Sequence, residues 1–348
     1  MSTFIPIAAF LDSLDELEGG LKVVEVPLDA PPDTSRFTLP QGWNVGIENT
    51  EPSGETKATL TTGGVTAHLT RECLGEIAKS FGLRSKYVEN TPGALIEPHL
   101  NYWLSYSPPG TSLRLQKNRQ GVITSLIKGP STPFFNKDLL QHVLNKVNPD
   151  LYAIDPLTRV SMDLSSLRLV IPQLARKVGE DVWIPGLQIQ NSLTIRYPVT
   201  VSGYLHSESV SSGAILHHAQ SRYNRRQLGA DSEDLTQWFD DSLALVADSL
   251  EHEFEIIESL RNEKLGDTPK VLADVFKSYK VPLAVRDLVV DNLLDSQDRT
   301  FYGLMQAVIQ TATTPGLPDH FVTAIMEIGA AAGFSGSDRC GKCCQTLH

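Results

Sequence analysis

Apolar residues recur at helical spacing in several stretches. Leu74, Ile77, Ala78 and Phe81 fall at i, i+3, i+4 and i+7, and Gly82 follows as a stop, which predicts a helix over 70–81. Pro92 and Pro98 bracket a short helical turn ending in Asn101, Tyr102, Trp103 and Leu104. Asn136 is expected to cap a helix whose apolar face carries Leu139, Leu140, Val143, Leu144 and Val147. From Ser232 to about Leu265 a long amphipathic helix shows the stripe Leu235, Trp238, Phe239, Val246, Leu250, Phe254, Ile257 and Leu260, with Asp240, Asp241, Asp248, Glu251, Glu255 and Glu258 on its other face. Further helices are predicted over 269–279, 282–294, 300–313 and 319–332.

Between them the period changes to two. Strands are predicted at 159–164, 166–171, 182–190, 192–197 and 199–205, where β-branched and aromatic residues recur between Pro and Gly. Strands at 113–116 and 122–127 flank the turn Lys117-Asn118-Arg119-Gln120-Gly121 and read as a hairpin. Residues 1–56, rich in Pro, Asp, Glu and Gly, read as an irregular acidic arm with one or two short strands. The expected division is therefore an arm at 1–56, an α+β domain with a basic surface at 57–230, a helical region packing on it at 231–333, and a flexible Cys-containing tail at 334–348. The fold class is α+β: a mainly antiparallel sheet with flanking helices, then a helical C-terminal third.

Charge sharpens this division. The formal net charge is −11, which argues against a nonspecific nucleic-acid binder, but the charge is segregated. Residues 1–97 hold 7 basic and 14 acidic side chains, residues 98–230 hold 14 and 7, and residues 231–348 hold 9 and 20. A basic island between acidic flanks implies a polyanionic partner for the middle, or flanks that balance it within the molecule. About 41% of residues are apolar, enough for a large core. No apolar run reaches the length of a membrane span. The first twenty residues carry Asp12, Asp15, Glu16 and Glu18 and no Lys or Arg, so no export signal is expected. Cys340, Cys343 and Cys344 crowd the tail and Cys73 stands alone, which is not a disulfide framework and implies a reducing compartment.

Motifs for chemistry are sparse. The run Gly336 to Cys343 nearly matches a phosphate-binding loop, but Cys343 replaces the magnesium-binding hydroxyl, and no strand precedes it or helix follows it. Cys340-x-x-Cys343-Cys344 reads as half of a zinc site, to which His348 could add a third ligand and another subunit the rest, against a disordered tail with reactive thiols. His217-His218, with Glu208 and His206 nearby, lacks a defined third ligand, and Glu251-His252-Glu253 has no second His at metalloprotease spacing. Asn191-Ser192 and Asn101 read as turn and capping residues. No catalytic residues, cofactor or metal are assigned.

Four stretches carry a family resemblance. The first is Leu69-Thr70-Arg71-Glu72-Cys73-Leu74 with Phe81-Gly82-Leu83, Lys86-Tyr87 and Leu100-Asn101-Tyr102-Trp103-Leu104. The second is Trp183-Ile184-Pro185-Gly186-Leu187-Gln188-Ile189-Gln190-Asn191-Ser192, and the third runs from Gly203-Tyr204-Leu205 through Ser212-Gly213-Ala214-Ile215. The fourth is Thr300-Phe301-Tyr302-Gly303-Leu304-Met305-Gln306-Ala307-Val308 with Ala312 and Glu327-Ile328-Gly329-Ala330. In this order they resemble the phage- and plasmid-like proteins of domain-of-unknown-function family 932, over roughly residues 65–333. Ser211-Ser212-Gly213 stands where that family often has a Cys-Asn-Gly-like step, so no role of that Cys carries over. The resemblance implies a mobile-element protein of a bacterial cytoplasm, encoded near DNA replication and recombination genes, and implies no catalytic residues.

The resulting expectation is a nucleic-acid-binding accessory of replication or recombination, of the single-strand binding or annealing type, working as a homo-oligomer without a membrane. Its contacts are expected at Arg114, Lys117 and Arg119 around the hairpin tip, at Arg196, and at Arg222, Tyr223, Arg225 and Arg226, since arginines grip phosphate in a fork and a tyrosine offers a stacking face. Tyr102, Trp103 and Tyr197 are further stacking candidates. The competing expectation is a protein–protein module, a host-takeover or anti-defence factor acting through its acidic helix on a host protein. An enzyme with an unrecognised site is the third.

Overall fold

The computed structural model describes residues 4–27, 44–50, 55–62, 65–84, 87–88, 91–105, 112–127, 133–146, 149–161, 164–195, 197–215, 222–225, 232–278, 280–281, 283–317 and 319–334. The fold is α+β, with two mostly antiparallel sheets and helices concentrated in the C-terminal part. The chain forms two compact units, Asp15–Pro133 and Met1–Leu14 with Phe134–His348. The divisions at residues 14 and 133 fall inside the segments read from the sequence as 1–56 and 57–230. Among the described residues no helix is long and apolar enough to cross a membrane.

The Asp15–Pro133 unit is built on a six-stranded sheet. In chain order its strands are β1 (Lys22–Pro27), β2 (Asn44–Thr50), β3 (Glu55–Thr62), β4 (Val65–Leu69), β5 (Ser112–Lys117) and β6 (Ile123–Ile127). Their order in the sheet is β1-β5-β6-β4-β3-β2, and only the β4–β6 pair is parallel. Two helices, α2 (Arg71–Ser80) and α3 (Gly93–Ser105), supply Leu74, Ile77, Ile96 and Leu100 to a core with Leu60, Leu115 and Leu126 from the strands. The predicted helix at 70–81 is α2. Thr70 caps it by accepting from Cys73 N at 3.2 Å. Gly82, at φ +80°, ends it while Leu83 N–H donates to Ala78 O. The turn expected between Pro92 and Pro98 is instead a continuous helix through Pro98. Burial of Ile96, Leu100 and Asn101 accompanies the lost backbone bond.

The other unit takes in residues 7–14 of α1 (Ile7–Glu18), of which Phe10 and Leu14, one turn apart, are buried. This helix lies in the stretch read as an irregular arm. The unit's sheet comprises β7 (Ala153–Ile154), β8 (Ser165–Val170), β9 (Arg176–Val178), β10 (Asp181–Asn191), β11 (Val199–Ser207), β12 (Ser212–Ile215) and β13 (Arg222–Arg225). The path is β12-β11-β10-β8-β7. Strand β13 pairs with β11, and β9 with β10. Among the described residues of 159–164 and 192–197 the two predicted strands are absent. Arg159 makes only an isolated bridge to Ser166. Residues 192–195 form a turn, in which Ile195 sits at φ +52° and Ser192 Oγ lies 3.0 Å from Thr194 Oγ1.

The two faces of this sheet differ. Leu167, Leu169, Leu187, Ile189, Val199 and Val201 line one and pack on α1, α4 (Asn136–Lys146) and α5 (Ser232–Leu260). On the other, Ser166, Arg168, Gln188, Gln190, Ser202, Tyr204 and His206 alternate with them, yet all are buried. C-terminal helices α6 (Thr268–Ser278), α7 (Leu283–Ser296), α8 (Phe301–Thr311) and α9 (Asp319–Phe334) share a core with Val170, Ile184, Tyr204 and Ile215 of this face. The strand alternation alone would have placed this polar face in water.

Candidate nucleic-acid interface

The β5–β6 hairpin is pinned at its turn. Asn118 N–H donates to Val122 O, and Val122 N–H donates back to Asn118 Oδ1, both at 2.9 Å. Gly121 takes φ +86° and donates to Asn118 O. Lys117 closes β5 beside a register shift, partly exposed, and Arg119 is exposed in the turn. The stem of Arg119 crosses Gly20, where an added Cβ would come within 3.1 Å of Arg119 Cβ. Neither Lys117 nor Arg119 forms an ion pair with a described residue. Arg114 lies within β5, its Cα opposite those of Glu25 in β1 and Ile127 in β6.

Several other cations of residues 98–230 have partners within their own unit. Arg168 is fully buried, and its Nε donates to Gln188 Oε1 at 2.8 Å. One of its terminal nitrogens donates to Leu157 O and the other to Thr323 Oγ1 on α9. Lys146 lies 3.0 Å from Asp240. Arg176 stacks over the Phe254 ring. The Lys146–Asp240 pair sets one charge of the basic island against one of the acidic face of α5.

The structure gathers the expected contact residues only in part. Arg114, Lys117 and Arg119 share one hairpin of the Asp15–Pro133 unit. Arg222, Tyr223 and Arg225 lie together on β13 of the other unit, in register with Ser202, Val201 and Val199 of β11. Arg196 and Arg226 lie outside the described residues, as do Cys340, Cys343, Cys344, His348, His217 and His218. Among the described residues no three His, Cys, Asp or Glu side chains converge as metal ligands. His252 is exposed, 3.4 Å from Glu255.

The polar groups that sequence reasoning missed sit beneath the C-terminal helices. Asp155 Oδ2 lies 2.6 Å from His206 Nδ1 and accepts from Tyr204 O–H at 3.0 Å, while its Oδ1 accepts from Leu157 N–H at 2.7 Å. Burial alone would raise the Asp155 carboxyl. His206, the Leu157 amide and Arg168 outweigh it and hold the carboxyl below the usual aspartate range. Burial and the Asp155 charge push the Tyr204 hydroxyl well above its ordinary value, so it stays a donor. Asp155, Arg168 and Tyr204 are completely buried, and His206 and Gln188 nearly so. This cluster orders a core. Its residues are spread over 51 positions of the chain, from Asp155 to His206, and the one available signal was an Arg, a Gln and a His each inside a strand.

A second hub joins Asp181, Ser207 and Tyr302. Asp181 Oδ2 accepts from Ser207 Oγ at 2.5 Å and Gln306 Nε2 at 2.9 Å, and Trp183 Nε1 donates to Tyr302 O–H at 2.9 Å. It ties the start of β10 and the end of β11 to α8.

No family model, no curated protein and no solved structure matches the chain.

Proposed function

We propose that this chain is a nucleic-acid-binding accessory of DNA replication or recombination, of the single-strand binding or annealing type. The observation that carries the reading is the pinned β5–β6 turn, which offers Lys117 and Arg119 to solvent without acidic partners among the described residues. A cation already paired gains little from a phosphate, whereas an unpaired one on a rigid turn releases counterions at small ordering cost. The resemblance read in the sequence supplies the setting, a mobile element's protein in a bacterial cytoplasm, and the binding reading itself adds a homo-oligomer. Arg222, Tyr223 and Arg225 of β13 remain expected contacts of this reading.

The competing reading, an acidic helix occupying a host protein, draws on the exposed Asp241, Glu255 and Glu258 of α5. It loses Asp240, which takes Lys146 and His142.

The test is fluorescence anisotropy with a labelled single-stranded oligonucleotide about 30 nucleotides long, a site of several binding footprints, titrated at increasing salt. Replacing Lys117 and Arg119 together by Ala should lower the log–log salt slope by about 1.4, the share of two phosphate contacts on a single strand. Arg222, Arg225 and Arg226 changed together to Ala should lower it by about 2.1 on the same basis. Wild-type protein that binds nothing at low salt would sink the reading.

A further inference from the structure

Helix α3 has two apolar stripes where a surface helix of this size needs one. Ile96 and Leu100 face the core. Leu95, Pro98, His99, Tyr102 and Trp103, at i, i+3, i+4, i+7 and i+8, form a second stripe that is exposed, with Leu95 at 57%, Tyr102 at 46% and Trp103 at 43%. A scattered exposed apolar residue is unremarkable, but a contiguous stripe marks a binding surface.

Three of the five residues of the stripe carry rings with π faces, His99, Tyr102 and Trp103, and these rings are held in place. Tyr102 and Trp103 meet edge to face, centroids 5.6 Å apart and planes at 84°. His99 stacks on Tyr87 at 5.8 Å and 16°, and the Tyr87 hydroxyl lies 2.5 Å from His99 Nδ1. Glu97 is the one acidic residue of α3. The same compact unit carries the unpaired Lys117 and Arg119.

We infer that the exposed α3 stripe is a stacking platform for unpaired nucleobases, with Trp103 as its principal ring and Tyr102 set edge-on beside it. This rests on the nucleic-acid reading above and makes it specific: the hairpin cations attract the phosphate chain, and α3 selects strands whose bases are free to stack. Flat rings and unpaired cations in one unit match a single strand, whose bases and phosphates alternate, better than an amphipathic protein helix, which would need an aliphatic groove. A duplex hides its base faces and would meet only the cations.

The experiment compares a 30-nucleotide oligothymidine with an abasic oligomer of equal length and charge, by anisotropy at one low salt concentration. Wild-type protein should bind the base-bearing strand more tightly. Trp103→Ala should weaken that binding about 5- to 150-fold, the range one base–aromatic stack supplies, and should leave abasic binding unchanged. Trp103→Phe, which keeps a ring, should restore most of the loss. Trp103 is exposed, so an unchanged thermal melt is expected and separates stacking from misfolding. Equal binding of the two oligomers, or a Trp103→Ala protein that binds both as wild type does, overturns the platform while the phosphate contacts stand. Failure to bind either oligomer at low salt overturns both readings. Capture of a folded protein by the stripe, with oligomer binding unaffected by Trp103→Ala, reassigns α3 to a protein partner.

Discussion

Asp155 and His206 meet at 2.6 Å on a sheet face closed off from water by C-terminal helices. Tyr204 and the Leu157 amide fill the remaining acceptor positions of the carboxylate, and the Arg168 guanidinium lies 6.0 Å from the centre of the Tyr204 ring. A carboxylate held below its usual range releases its proton more readily in the folded chain than in the unfolded one. Its stabilisation is therefore complete above about 3.9, the ordinary aspartate value, and is lost as pH falls below that through the lowered folded value. Asp155→Asn should be less stable at neutral pH and should show a shallower loss of stability between about pH 5 and pH 2. Urea midpoints measured across that range check it, and identical slopes in the two proteins would refute the assignment. Asp155→Ala, which strands the partners in the core, should cost about 3–5 kcal/mol.

Gly186 sets how closely β8 and β10 approach. A Cβ there would stand 2.0 Å from Leu169 O and 2.9 Å from the Val170 Cα. Both neighbours are backbone, so no side chain can swing aside and the strands themselves must part. Gly186→Ala should destabilise the protein by roughly 1–3 kcal/mol or more. A lower denaturant midpoint at unchanged slope is the expected signature; a midpoint equal to wild type would show that the strands have room.

How much of this was legible in the sequence depended on whether the signal was local. The helices after Ser232 were, because their apolar period persists over many turns and Thr300 and the turn glycines mark their limits. The hairpin tip with Lys117 and Arg119 was legible from Asn118 and Gly121. Helix α1 was not, because the Pro- and acid-rich average over 1–56 hid the pair Phe10 and Leu14. The exposure of Trp103 was beyond reach too: α3 is apolar on both sides, and only packing decides that Ile96 and Leu100 go inward. Nor does any local pattern bring Asp155 to His206, because the face that carries Arg168, Gln188 and His206 alternates like a wetted one and is covered by helices that begin only at Thr268, 62 residues after His206.

Asn191 makes a sharper test of the buried polar groups. Its Nδ2 donates to Phe134 O at 2.6 Å and to Asn136 Oδ1 at 3.0 Å, and Asn136 Nδ2 donates onward to Ser165 Oγ. Asn136 was expected to cap α4. It is instead the first helical residue, and its side chain is directed into this chain of amides. Asn191→Ala should leave Phe134 O without that donor and cost about 1–3 kcal/mol. Asn191→Asp should cost more at neutral pH, because a carboxylate would face two acceptors, and part of its deficit should vanish on acidification as a protonated carboxyl donates again. Thermal melts of the two variants at pH 7 and pH 4.5 decide the matter. An Asp variant as stable as the Ala variant at both values would show that the amide donors are dispensable.

Thr70 joins the end of β4 to α2 with one hydroxyl that serves twice. Its oxygen accepts from Cys73 N–H at 3.2 Å as the helix cap, and its hydrogen donates to Thr124 O at 3.2 Å on β6. Strand and helix are thereby held where Thr70 N–H also donates to Ile123 O at 2.9 Å, beside the single parallel register contact between Leu69 and Ile123. Removing the hydroxyl leaves an uncapped amide and an unmet carbonyl, so Thr70→Ala should lower stability by about 1–2 kcal/mol. Thr70→Ser keeps the hydroxyl and should stay within about 0.5 kcal/mol of wild type, the range of a substitution that breaks no such contact. Hydrogen exchange at the Cys73 amide distinguishes this from a general packing loss. Thr70→Ala should accelerate exchange there and Thr70→Ser should not, whereas equal exchange in both variants would mean that the threonine methyl, and not the cap, carries the stability.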